Sequence, residues 1–143
     1  MKTLPHRYAT HIVGGPEGHA TLSSGGVPDL LTAPPLEFDG PGDAWSPEQL
    51  LLAAVEACFV LTFRAVAQAS RLEFASIGVE AEGIVDRVGG VTRFTEIVLR
   101  PRVALPAGTD SVRVQRALEK AERACLVSAS LATPIRLEPH IAG

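Results

Sequence analysis

From Leu50 to Phe63 the chain is apolar at nearly every position, broken only by Glu56 and Thr62. A helix drawn through this run is apolar almost all the way round, which marks a helix buried in the middle of a structure. Ser46 is suited to cap its start, Pro47 to the first helical position and Glu48 to the first turn, and the pattern runs to about Ser70. A chain of 143 residues can barely wrap such a helix alone, so a partner chain is expected to help cover it.

The rest alternates differently. Residues 6–13 are rich in β-branched and aromatic side chains and read as a strand; Gly14 to Gly18 is a turn cluster, and His19 to Ser24 a second short strand. Between Gly25 and Ser46 the breakers Gly25-Gly26, Pro28, Pro34-Pro35 and Gly40-Pro41-Gly42 predict a long loop, with a short strand expected around Leu36-Glu37-Phe38. Residues 72–87 and 91–103 are two long strand-like runs joined through Gly89-Gly90, a strong hairpin signal. A second helix is expected from Thr109 or Asp110, with Val114, Leu118, Ala121 and Cys125 on one stripe opposite Arg113, Arg116, Glu119 and Arg123. Thr133 to His140 reads as a last strand. The order β-β-(β)-α-β-β-α-β predicts an α+β fold, one domain over residues 1–143, with strands segregated from two central helices.

Composition narrows the function. A hydrophobic share of 46% with 20% charged residues belongs to soluble globular chains. A net charge of −3, with arginines scattered singly, argues against a nucleic-acid partner. Met1 to His6 has no apolar segment of the secretory type, and the uninterrupted apolar run is short for a bilayer. The expectation is a cytoplasmic protein without a membrane partner, in a compartment where thiols stay reduced.

In that setting the two cysteines carry the chemistry. Cys58 lies on the apolar helix and Cys125 on the second helix's stripe, with 66 residues between them. A buried cysteine is ordinarily a small core hydrophobe, yet both occur on the two helices expected to pack together, where a dithiol could cycle through a disulfide. Glu48 in a first turn is favourable for the helix dipole without further reason. It stands ten residues before Cys58, about 15 Å along a straight helix at 1.5 Å per residue, so if both serve one site either the helix breaks or a second subunit supplies one of them. Glu56 beside a thiol would raise that thiol's pKa. Among the four histidines (His6, His11, His19, His140) none has metal-ligand spacing to a cysteine, so neither a metal nor a cofactor is expected. A Cys–His acyl-transfer site with His19 stays formally open. No nucleotide-binding glycine pattern precedes a helix.

The phrase Ser46-Pro47-Glu48-Gln49-Leu50 running into Ala57-Cys58-Phe59, followed by Ala124-Cys125-Leu126-Val127-Ser128, resembles the two signatures of the osmotically inducible protein C and organic hydroperoxide resistance (OsmC/Ohr) family, nearly over the whole chain. The resemblance implies an OsmC-like fold and an intertwined homodimer with its site at the subunit interface. It implies that Cys58 is the peroxidatic thiol, Cys125 the resolving thiol and Glu48 the site carboxylate. The implied activity is oxidative-stress defence of the peroxiredoxin kind: Cys58 reduces an organic hydroperoxide, a Cys58–Cys125 disulfide follows, and a dithiol reductant, a lipoylated protein in the family, reopens it.

This chain departs from the pattern at two places. The family's arginine, which holds the thiolate and is held by the glutamate, falls at Pro16 in one variant of the pattern and at Glu37 in the other, and Leu126 replaces the proline after the resolving cysteine. Arg7, Arg64 or His19 are the candidate substitute cations. Without one, the alternatives are a redox sensor, a binder of small apolar or acyl ligands, or a structural dimer with inert cysteines.

Overall fold

A computed structural model describes residues 1–142 and divides into two compact units, Met1–Leu50 and Leu51 onward. In the first unit, three short antiparallel strands β1 (His11–Val13), β2 (Ala20–Ser23) and β3 (Leu30–Thr32) form a sheet in that order. β3 lies where the sequence predicts only loop. Its three residues, hemmed in by Pro28 and Pro34-Pro35, are too few to show a period, and only pairing with β2 makes them a strand. The strand expected at Leu36–Phe38 is instead a 3₁₀ turn. It is closed by Phe38 N–H to Pro35 C=O at 3.0 Å and Gly40 N–H to the same carbonyl at 2.9 Å, with Asp39 left-handed at φ 62°. A Cβ at Gly40 would run into the Pro34 carbonyl, so the turn requires glycine there.

Helix α1 spans Pro47–Ala69. Ser46 and Gln49 make a reciprocal box at its start: Gln49 N–H donates to Ser46 Oγ at 3.2 Å and Ser46 N–H to Gln49 Oε1 at 2.9 Å. At its end Leu72 N–H reaches Ala67 C=O and Arg71 N–H reaches Gln68 C=O, with Arg71 left-handed at φ 55°. This is a Schellman cap, and it turns Leu72 back into the core beside Ala67. The cap explains why the next strand, β4, begins at Ser76 rather than near residue 72.

β4 (Ser76–Val88) and β5 (Val91–Ala104) form the long hairpin, turning at Gly89 and Gly90 with φ of 59° and 80°. Positive φ at both positions matches the twist of the flanking strands. On the other edge of β5 lie two parallel strands, β6 (Ile135–Leu137) and β7 (His140–Ala142). The single last strand expected from the sequence is thus two, separated at Glu138-Pro139, where proline has no N–H to continue the ladder. Helix α2 (Ser111–Ala124) starts at Asp110, whose carboxylate accepts from Val112 N–H at 2.9 Å. Val55, Phe59, Phe63 and Ala67 of α1 meet Ile97, Leu99 and Val103 of β5 and Val114, Leu118 and Ala121 of α2 in one core. By length and composition α1 also passes for a membrane span, with only 22% of its most apolar window buried in the chain. Its buried stripe packs on this core.

Candidate functional site

Cys125 does not continue the α2 stripe as a helical residue. Its φ of −67° and ψ of 114° are extended, and it both ends α2 and begins the single-turn helix α3 (Leu126–Ala129). Its carbonyl accepts from Ala129 N–H at 3.0 Å. The break faces the amides of the following turn away from backbone partners, and it keeps the Cys125 side chain fully buried.

The fold lets Cys58 and Cys125, with 66 residues between them, act on each other's ionisation. Both thiols are free. Cys58 is half-buried, on the same α1 face as Thr62, whose Oγ1 lies 3.9 Å from its sulfur. Desolvation pushes the Cys58 thiol up. The Val127 amide, the Cys125 side chain, the Thr62 hydroxyl and the Leu126 amide together outweigh it, so the thiol ionises below its ordinary value. Cys125 moves the other way: burial raises it, the Ser128 hydroxyl and amide oppose that, and the Cys58 thiolate raises it further. The pair is therefore asymmetric, Cys58 being the thiol that ionises first and Cys125 the one that keeps its proton longer. Glu56, two residues away, is raised by its own desolvation and is not among the groups that act on Cys58. No cation acts on it either, among the described residues.

In the first unit, Glu48 lies at the edge of a recess of about 400 Å³, lined by Ala20, Thr32, Ala33, Pro34, Phe38 and Pro47 among others. Its Oε1 is buried without a hydrogen-bond partner among the described residues. α1 is continuous from Pro47 to Ala69, so Glu48 stands about 15 Å along the axis from Cys58.

A profile of the OsmC-like protein family matches residues 40–140. The chain belongs to the OsmC-like family. It is 34% identical over 121 residues to an uncharacterized protein of Bacillus subtilis strain 168 named YmaD, covering 82% of this chain and 80% of that one. It is 35% identical over 127 residues to an organic hydroperoxide resistance protein of Xanthomonas axonopodis pv. citri strain 306, covering 87% and 84%. An OsmC-like protein of unknown function from Vibrio cholerae has the same fold, with a TM-score of 0.87, 19% identity, and coverage of 94% and 99%.

In this OsmC-like protein the two slots for the arginine and the three candidate substitute cations are placed as follows. Pro16 lies in the exposed turn after β1, and Glu37 is exposed on the 3₁₀ turn. His19 bonds Asp43 at 2.7 Å, a contact that lowers the Asp43 carboxyl. Arg64 is exposed on α1, and Arg7 is exposed near the start of the chain. The sequence reading missed the donors that do act on Cys58, which are the backbone amides of Val127 and Leu126. The signal was the second departure itself: leucine in place of proline leaves an N–H where the pattern has none.

Proposed function

We propose that this protein is a thiol peroxidase that reduces organic hydroperoxides through Cys58 and Cys125. The observation that carries the reading is that two free cysteines distant in sequence act on each other in opposite senses, ionisation being favoured at Cys58 and opposed at Cys125. The Cys58 thiolate attacks the terminal oxygen of the hydroperoxide, the O–O bond breaks, and the alkoxide leaves and takes a proton from solvent. Cys58 is left as a sulfenic acid. Cys125 attacks that sulfur, water leaves, and the resulting disulfide is reopened by a dithiol such as a lipoylated protein. The apolar helix that carries Cys58 suits an organic substrate over hydrogen peroxide.

The homodimer belongs to the same proposal. Ala54, Ala57, Leu61 and Ala65 form an exposed apolar stripe on α1, with Leu61 57% exposed, and a second copy of the chain would cover it. Glu48 then serves the partner's thiol, its buried oxygen accepting the hydroperoxide O–H. The reading places the protein in the cytoplasm, where a dithiol reductant is at hand.

A second reading has one observation in its favour: among the described residues no cation acts on Cys58, which favours a redox sensor or a binder of small apolar or acyl ligands. Reaction of wild type and Cys58→Ser with cumene hydroperoxide separates the two. The peroxidase requires a loss on the order of 10³-fold or more in the variant. Retained turnover in Cys58→Ser would end the proposal.

A further inference from the structure

Helix α1 carries a single hydroxyl, that of Thr62, and it falls inside the apolar run. Threonine is a poorer helix former than the alanines and leucines around it, and a half-buried hydroxyl among apolar neighbours needs a partner. A helical hydroxyl commonly takes the carbonyl one turn back. Ser70 and Ser130 do so, donating to Val66 C=O at 2.8 Å and to Leu126 C=O at 2.9 Å. Thr62 makes no such bond among the described residues. The residue one turn back from it is Cys58, and the hydroxyl meets the sulfur instead, with Oγ1 3.9 Å from Sγ. That separation is long between two oxygens and within hydrogen-bonding reach for the larger sulfur.

We propose that Thr62 is a further catalytic residue, its hydroxyl donating to the Cys58 sulfur across this 3.9 Å and holding it as the attacking thiolate. The inference rests on the peroxidase reading for its part in turnover and names the side-chain hydroxyl that serves the attacking sulfur.

The contact persists through ionisation by reversing. A neutral thiol donates its S–H to the threonine oxygen; a thiolate has no hydrogen, so the hydroxyl must donate. The second arrangement is charge-assisted and the stronger of the two, so the contact favours the thiolate. Desolvation opposes ionisation of Cys58, and the hydroxyl acts against it in the same sense as the Val127 and Leu126 amides. Unlike those amides, it can be deleted without touching the backbone.

Its effect on rate has two parts. In the attack a sulfur lone pair forms the S–O bond, the O–O bond breaks, and the alkoxide leaves and takes a proton from solvent. The sulfur is oxidised by two electrons and the hydroperoxide is reduced by the same two. Negative charge leaves the sulfur in this step, so the hydroxyl is bound most tightly before it. More of the Cys58 population is then thiolate, and each thiolate is somewhat less nucleophilic. Nucleophilicity falls only about half as steeply as the pKa, so the gain in population wins where the thiol is partly protonated and vanishes once it is fully ionised.

The test is the pH profile of Cys58 alkylation by iodoacetamide, read on the Cys58 peptide by mass spectrometry, which needs no peroxidase activity. In Thr62→Val, which keeps the shape, and in Thr62→Ala, the midpoint should move to higher pH. The rate near neutral pH should fall about threefold while the plateau at high pH equals or exceeds that of wild type. Thr62→Ser keeps the hydroxyl and should stay within about twofold throughout. Oxidation of Cys58 by cumene hydroperoxide near neutral pH should fall in step with alkylation in the first two variants. A midpoint at the wild-type value in both, or a plateau that falls along with the neutral rate as a packing defect would make it, would overturn the role of Thr62. Oxidation of wild type no faster than a free thiol, with the midpoint moved in the variants, would defeat the peroxidase reading and uphold the hydroxyl's hold on the sulfur.

Discussion

The surroundings of Cys58 and of Glu48 handle charge in opposite ways. Two amides, a hydroxyl and a thiol favour the ionised form of Cys58, and no full charge is among the groups that act on it within the described residues. Glu48 has a carboxyl oxygen, Oε1, buried beside an apolar recess with no hydrogen-bond partner among the described residues. The resemblance to peroxidases of this family implies an arginine joining two such groups. Here the thiol has found substitutes and the carboxylate has not. A thiolate can be held by several weak donors because sulfur is large and its charge diffuse, whereas a compact carboxylate oxygen out of water needs a strong donor of its own.

The contrast can be broken at either end. The largest effect is expected from Glu48→Gln. If its oxygen holds the hydroperoxide, the rate with cumene hydroperoxide falls about tenfold, the value of one hydrogen bond to a charged group. Iodoacetamide alkylation of Cys58 should stay within about twofold. A parallel fall in alkylation would show that the carboxylate acts on the thiol, contrary to the division drawn here.

Leu126→Pro tests the other end. Cys125 already has the extended conformation that precedes proline, and Leu126 is the first residue of a helical turn, where proline is tolerated. The substitution removes one N–H donor, so the Cys58 pKa should rise and alkylation near neutral pH slow about fivefold. Leu126→Ala keeps the N–H and should behave as wild type. An unchanged pH profile in the proline variant would remove Leu126 from the account.

The pH dependence follows from the same asymmetry. Cys58 is lowered and Cys125 raised. Limiting iodoacetamide should therefore modify Cys58 first as pH rises through neutrality, with Cys125 modified only at higher pH or on unfolding. Peptide mass spectrometry reads the order, and equal labelling of the two thiols would contradict it. The smallest effect is expected from His19→Ala: its contact with Asp43 is exposed, and Cys58 alkylation should change less than about twofold. A larger change would revive His19 as the missing cation.

Much of this was legible in the sequence. The apolar run with Ser46 and Pro47 before it fixed α1 to within a residue or two, and Gly89-Gly90 marked the hairpin turn, because both follow from local rules. Elements set by tertiary pairing were not legible: β3 exists only through β2, and the break in the last strand depends on Pro139 meeting the edge of β5. Cys125 followed the helical period and still left the helix, since a stripe records burial and says nothing about where the backbone stops. The amide donors at Cys58 escaped for a plainer reason. Backbone N–H groups carry no letter in a sequence, and only the missing proline hinted at one of them.

The most direct measurement is the rate at which the fully reduced protein consumes cumene hydroperoxide compared with hydrogen peroxide, following both thiols. The account predicts fast, organic-selective oxidation that ends in a Cys58–Cys125 disulfide. Oxidation no faster than that of a free thiol, with no preference for the organic substrate, would contradict it. Amide donors would then be no replacement for the arginine.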